Sequence, residues 1–255
     1  MYIYLDFEAT QFSYEIISIG AVKENGETFY SLVRPQNIKK ITPLITKITG
    51  LTSDMYTEEI PTICDIFPTF VDWAIKENNQ VKFFTYGGFD KTLISHCVKR
   101  YPEYAVFQFV YENMIDIQKI INLLMNSEGV ESKSLVAIYE YLFGNNHGIE
   151  HNALSDAQML FYIHKYAISV PLENIIVISE NEVLNRIVRK FKKGKSRNRK
   201  IKEYLLGLGE FELETLSIHD IISVDKTIKN VVDEKIKSYY YNLHGRKLRY
   251  FNYEG

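Results

Sequence analysis

The decisive stretch is Tyr2-Ile3-Tyr4-Leu5-Asp6-Phe7-Glu8-Ala9-Thr10, with Ile16-Ile17-Ser18-Ile19-Gly20-Ala21-Val22 close behind it. Residues 2–5 are β-favouring and run straight into Asp6, so they predict a strand. Residues 16–22 predict a second strand. After the turn signal Glu24-Asn25-Gly26, residues 28–33 predict a third, which Pro35 ends. Tight connections between such neighbours favour an antiparallel meander. Side chains on a strand alternate with a period of two, so Asp6 and Glu8 project from one face. Paired carboxylates repel and raise each other's pKa unless a cation lies between them. An exposed strand end with two solvated acids would carry the same residues.

Beyond the meander the pattern changes period. Thr42-Pro43 offers an N-cap and an N1 proline for a short helix that Gly50 stops. A longer helix is expected over 63–76, with Pro68 inside it expected to kink it or move its start. A short apolar strand over 81–86, a Gly87-Gly88 turn and a helix over 91–100 follow. Helical periodicity returns at 116–124, 134–143 and 153–167. A meander followed by alternating strands and helices implies an α/β domain ending near residue 169. Residues 170–255 predict helices at 182–193, 199–206 and 226–241, punctuated by Gly194, Gly207 and Gly245.

The chain has 255 residues, 46% of them apolar and 24% charged, which is enough to bury a sizeable core and excludes a disordered or collagen-like chain. No apolar run reaches the ~18–20 residues of a membrane span. The first six residues lack a basic n-region, so no signal peptide is expected. Cys64 and Cys97 form no C-x-x-C pair and suggest neither a zinc cluster nor a disulfide framework. A cytoplasmic location is the expectation. The net charge of −2 hides an asymmetry: residues 1–169 hold 13 basic and 20 acidic side chains, residues 170–255 hold 17 and 12. Ten cations and no acid fall within 183–202: Arg186, Arg189, Lys190, Lys192, Lys193, Lys195, Arg197, Arg199, Lys200 and Lys202. Such a run is either a solvated helical face or a contact for a polyanion.

Two more acidic positions stand out. Asp90 follows an apolar strand and a glycine turn and opens a helix, where the macrodipole alone would favour an acid. In Glu150-His151-Asn152-Ala153-Leu154-Ser155-Asp156, a histidine in a loop precedes a carboxylate in the first turn of a helix. Histidine can take a proton from water near neutral pH while a carboxylate anchors a metal.

Taken in order, these clusters resemble the DEDD superfamily of 3′→5′ exonucleases, in its His-containing (DEDDh, DnaQ-like) branch. Asp6, Glu8 and Thr10 match the D-x-E motif with its following Thr, Asp90 the second motif, and His151, Ala153 and Asp156 the H-x-A-x-x-D motif. The Tyr branch would place tyrosine at position 152, which is Asn152. Ile48-Thr49-Gly50-Leu51-Thr52 and Met114-Ile115-Asp116 resemble two lesser family segments. The form Tyr86-Gly87-Gly88-Phe89-Asp90 is similar to the Eri1/KapD-like subgroup, except that Tyr86 stands where that subgroup usually has Trp.

The resemblance covers residues 1 to about 169 and implies an RNase H-like mixed five-stranded sheet flanked by helices. The remaining 170–255 would be a basic, mainly helical appendage of no evident family. The resemblance also implies two divalent cations, Mg²⁺ or Mn²⁺, held by Asp6, Glu8, Asp90 and Asp156, with Asp6 shared and His151 as general base. Oxygen-only ligation suits these hard ions rather than zinc. Thr10 would contact the terminal 3′-hydroxyl, and Phe12 or Leu51 would wedge against the last base. With an acidic active site, the basic run becomes a candidate substrate contact through Arg189, Lys190, Lys192, Lys193, Lys195 and Arg197. The expected function is hydrolysis of single-stranded or 3′-overhanging RNA or DNA from the 3′ end, releasing nucleoside monophosphates. A non-catalytic nucleic-acid-binding regulator and a polymerase proofreading subunit would use the same motifs.

Overall fold

A computed structural model describes residues 1–11, 13–77, 80–127, 134–144 and 151–245. The chain divides into two compact units, Met1–Ile168 and Ser169–Gly255. The first is built on a five-stranded sheet of β1 (Tyr2–Ala9), β2 (Ile16–Lys23), β3 (Thr28–Leu32), β4 (Lys82–Thr85) and β5 (Met114–Asp116). Their spatial order is β3-β2-β1-β4-β5. β1, β2 and β3 form the antiparallel meander, whereas β4 pairs parallel with both β1 and β5. The sheet is therefore mixed, as the resemblance implies.

The helices of this unit are α1 (Pro43–Thr49), α2 (Ile63–Ile75), α3 (Phe89–Arg100), α4 (Ala105–Asn113), α5 (Gln118–Ser127), α6 (Leu135–Phe143) and α7 (Ala153–Ala167). The period-two alternation of β1 sorts them into layers. Ile3, Leu5 and Phe7 enter the core formed with Phe67 and Phe70 of α2, Leu93 of α3, and Phe107 and Val110 of α4. Tyr2 and Tyr4 point the other way, onto α7: Tyr4 meets Phe161 edge-on, and its hydroxyl is 2.8 Å from His164 Nδ1. Asp6 and Glu8 continue this second series, on the face that α7 covers.

Sequence signals account for several boundaries. Thr42 caps α1 by accepting the Ile45 N–H, Pro43 opens the helix, and Gly50 ends it in the left-handed conformation. Pro68 does not move the start of α2. A capping box between Thr62 and Asp65 holds the start at Ile63, which places Pro68 in the second turn of a continuous helix.

In the first unit, α4 and β5 have no counterpart among the expected elements, and in the second unit neither do α10 (Glu210–Glu214) and α11 (Ile218–Val224). Segment 105–113 is aromatic and β-branched, poor in intrinsic helix propensity, and is held helical by burying Phe107 and Val110 completely. β5 spans three residues, too short for any period to show.

The second unit comprises α8 (Leu172–Lys192), α9 (Arg199–Leu206), α10 (Glu210–Glu214), α11 (Ile218–Val224) and α12 (Thr227–His244). It has its own core of Val183, Ile201, Leu205, Ile218, Ile221, Val232 and Ile236. α8 begins ten residues before the expected 182, because the β-branched run Ile175-Ile176-Val177-Ile178 obscures its period. Within that run Ile175 and Ile178 are buried and Val177 is exposed, the spacing of a helix face. No helix among the described residues is long and apolar enough to cross a membrane.

Candidate active site

Asp6 lies in the middle of β1, directly opposite Gly20 of β2. Paired residues of an antiparallel ladder direct their side chains to the same face, so a side chain at Gly20 would enter the space that α7 occupies. An added Cβ there would come within 2.1 Å of the Ala153 carbonyl carbon and 2.2 Å of the Leu154 nitrogen. Gly20 thus lets the backbone of the first turn of α7 rest on the sheet. Ala153 and Ala157, both fully buried, keep the rest of that contact thin. Asn152 caps the helix by accepting the Leu154 and Ser155 N–H groups, each at 3.2 Å. One turn in, Asp156 is thereby carried to Asp6 and Glu8.

Asp90 arrives from the other side of β1. The turn before it requires Gly87, whose φ of +105° is a conformation that L side chains rarely adopt. Asp116 at the end of β5 accepts the Gly87 N–H at 2.9 Å and fixes this turn to the sheet. Asp90 then enters the first turn of α3, 5% exposed, and its Oδ1 accepts the Phe7 N–H at 3.1 Å.

The electrostatics bind the four acids into one centre. Burial pushes the Asp6 carboxyl well up, and the charges of Asp90, Asp156 and Glu8 all push it further. Burial, then Asp156 and Asp90, raise Glu8 to about 8. Burial also raises Asp90 to about 7, against the lowering effect of the Phe7 and Asp90 backbone N–H groups; Asp116 and Asp156 add to the rise. Asp6 is the member on which the other three all act.

His151 sits just ahead of the α7 cap, exposed, with φ at +58°, a region histidine visits more readily than most residues. Ligand atoms of Glu8, His151 and Asp156 lie within 4.8 Å of one another. Four carboxylates, three of them pushed up by burial and by the charges of the others, offer only oxygen donors and fit hard divalent cations.

Thr10 is buried; its Oγ1 accepts the Glu15 N–H at 3.1 Å and is 2.6 Å from Ser13 Oγ, which closes the loop after β1. Phe12 lies outside the described residues. Leu51 is 7% exposed and packs with Ile17 and Tyr56. The Glu8 charge reaches Tyr56, so this cluster borders the centre. Arg189, Lys190, Lys192, Lys193, Lys195 and Arg197 are all exposed in the second unit.

Sequence reasoning passed over Gly20, whose part emerges only from the strand register. It also passed over an aromatic rim beside Asp90: Tyr14, at φ +52°, stacks on His96 at 4.4 Å and lies 6.3 Å from the exposed Phe89. A cavity of about 270 Å³ opens behind this rim between Tyr14, Arg34, Cys64, His96 and Arg100. None of the four carboxylates lines it.

The exonuclease family model RNase_T matches residues 3–164. Among solved structures, the chain is similar to the nuclease domain of 3′hExo, a DEDDh family member, bound to rAMP. That match has a TM-score of 0.55 and 21% identity, covering 66% of this chain and 90% of that one. It is also similar to cell-death related nuclease 4 (CRN-4), with a TM-score of 0.53 and 21% identity over 66% of this chain and 63% of that one. A 3′-exonuclease described in 3′-end-specific recognition of a histone mRNA stem-loop gives 0.52 and 20%, over 64% and 61%. The chain thus spans under two thirds of the latter two. The shared architecture is the RNase H-like fold of DEDDh exonucleases. No curated protein matches the chain.

Proposed function

The chain belongs to the RNase_T family of exonucleases, within the DEDDh superfamily, and from that premise we propose that it hydrolyses RNA or DNA one nucleotide at a time from the 3′ end. The observation that carries this reading is the convergence of Asp6, Glu8, Asp90 and Asp156, with Asp6 feeling all three others. These four would hold two divalent cations, Mg²⁺ or Mn²⁺, with Asp6 shared between them. Such ions, when bound, generate a nucleophile from water at neutral pH and neutralise charge developing on the phosphoryl group.

The protein's own groups do the rest. His151, beside Glu8 and Asp156, is the general base: its imidazole accepts the proton of the attacking water. Its exposed position on the turn before α7 leaves the ring open to solvent and substrate. The loop that Thr10 closes is assigned to the terminal 3′-hydroxyl, and Leu51 and Phe12 to the last base. Single strands and 3′ overhangs are the proposed substrates, with nucleoside monophosphates as products.

The test is digestion of matched RNA and DNA oligonucleotides carrying a 5′ label, with Mg²⁺, Mn²⁺ or EDTA. A ladder shortening from the 3′ end, absent in EDTA and slowed by a blocked 3′ terminus, is expected. Equal cutting of closed circles would contradict the reading. Tight binding without cleavage in either metal would leave the non-catalytic regulator.

A further inference from the structure

We propose that the corner between α8 and α9 grips the sugar–phosphate backbone of a nucleic acid without regard to its sequence or its ends. The choice of a nucleic acid rests on the exonuclease reading of the first unit. All ten cations of segment 183–202 are exposed. Among the described residues, the one ion pair this stretch makes is Arg199 with Glu203, at 2.7 Å. Other cations of the unit have acidic neighbours, such as Lys235 with Glu182 and Lys237 with Glu234. The other nine of the segment face solvent, and among the described residues only Lys200 of them has a nearby acid, Asp225; like charges in so short a stretch repel one another, a cost that binding a polyanion would relieve.

Helix-dipole compensation does not explain the pattern. Arg189, Lys190 and Lys192 lie in the last turn of α8, where cations are favoured. Lys193, Lys195 and Arg197 lie past the end of that helix. Arg199 and Lys200 open α9, whose first turn holds no acid. A helix N-terminus disfavours cations; Arg199 is offset by Glu203, and Lys200 lies near enough to Asp225 to hold that carboxyl down.

The corner is also ordered in advance. Gly194, at φ +66°, reverses the chain. The Lys195 N–H then donates to the Lys190 carbonyl at 2.9 Å, and the Gly194 N–H to the Phe191 carbonyl at 2.8 Å. At the far end of the loop, Asn198 caps α9 and donates from Nδ2 to Asp225 Oδ2 at 2.5 Å. Val183, Ile201 and Leu205 anchor both helices in the core beneath. The cations thus project from a fixed backbone, which lowers the ordering cost of binding. The partner follows from charge: the first unit is acidic overall, with 20 acidic and 13 basic side chains over residues 1–169, and the cationic corner offers a phosphate strand an attraction that this net charge does not.

The test uses the full-length protein in EDTA and a closed circular single strand, which has no 3′ end, so the outcome does not depend on cleavage. Wild type should bind with a steep salt dependence. Changing Lys190, Lys192, Lys193 and Lys195 together to Gln should weaken binding about tenfold or more and flatten the log K against log salt slope by about 3, from ~0.7 per phosphate on a single strand. The fourfold Lys→Arg variant should keep the wild-type slope, and far-ultraviolet circular dichroism checks that both variants are folded. A folded Gln variant with unchanged affinity and slope refutes the grip. So does four-lysine-dependent binding to anionic phosphatidylserine vesicles that exceeds binding to the strand. Hydrolysis of a dinucleotide by wild type with Mn²⁺ separates the two readings: its absence would count against the exonuclease and leave the binding result standing.

Discussion

Gly20→Ala probes the contact on which the site depends. The added methyl would stand 2.1 Å from the Ala153 carbonyl carbon, against the 3.4 Å at which ordinary contact begins, a shortfall of 1.3 Å. The three nearest atoms, Ala153 C and O and Leu154 N, all belong to the backbone, so no side chain can rotate away. Either α7 lifts off the sheet by about that distance, or β2 buckles. Overpacking of this kind costs about 3 kcal/mol, a fall in Tm on the order of 6–12 °C for a unit of this size. The carboxylate of Asp156 moves with the helix. A displacement of about 1 Å at a reacting centre costs roughly 100-fold in rate. Differential scanning calorimetry and initial rates on a short oligonucleotide with Mn²⁺ measure the two effects. Gly88→Ala is the stability control: an added Cβ meets nothing within 4 Å and φ is −87°, so Tm should change little. A Gly20→Ala protein that melts within 2 °C of wild type and keeps its rate would show that α7 does not rest on β2 as described.

Three further outcomes follow from the carboxylate centre. Asp6→Asn should abolish turnover while the metal-free protein becomes as stable as wild type or more so, because one of four repelling charges is gone; thermal melts in EDTA, and the loss of the Mn²⁺-induced rise in Tm, check this. His151→Ala should lower kcat by about 10²–10⁴ with much less change in substrate binding, read from single-turnover rates and from binding in EDTA. The third outcome concerns pH. Folded Glu8 at about 8 and Asp90 at about 7 lie above their ordinary values of 4.5 and 3.8, as does Asp6. The folded state therefore holds these protons more tightly than the unfolded one. Their stabilising contribution is complete below about pH 4 and is lost as pH rises through 7–8. In EDTA, Tm should fall from pH 5.5 to 8.5, and Mn²⁺ should restore most at the alkaline end. A Tm in EDTA that climbs over this range would contradict the assignment.

Much of the first unit was legible because local rules and the global fold agree. The meander declares itself through alternation and Glu24-Asn25-Gly26, α1 through Thr42-Pro43 and Gly50. Where tertiary contacts override local preference, reading failed. α4 is helical in spite of Val106, Phe107, Phe109, Val110 and Tyr111, because Phe107 and Val110 complete the core. The first turns of α8 hide behind four consecutive β-branched residues. Within the site, the common face of Asp6 and Glu8 follows from period two, and the pairing of His151 with Asp156 from five positions around a helix start. The part played by Gly20 could not be read: a glycine in a strand has no visible task until the register sets it opposite Asp6 and α7 lands on it. The same holds for Tyr14, which the chain brings to His96 and Phe89 across more than 70 positions.

On the proposed reading, Asp6, Glu8, Asp90 and Asp156 together hold the ions that drive hydrolysis. Anomalous diffraction from crystals grown with Mn²⁺ addresses it most directly. Two peaks about 3.5–4 Å apart are expected, ringed by these four side chains, with Asp6 in reach of both. Manganese bound only at other residues, with no anomalous density among the four carboxylates, would contradict it.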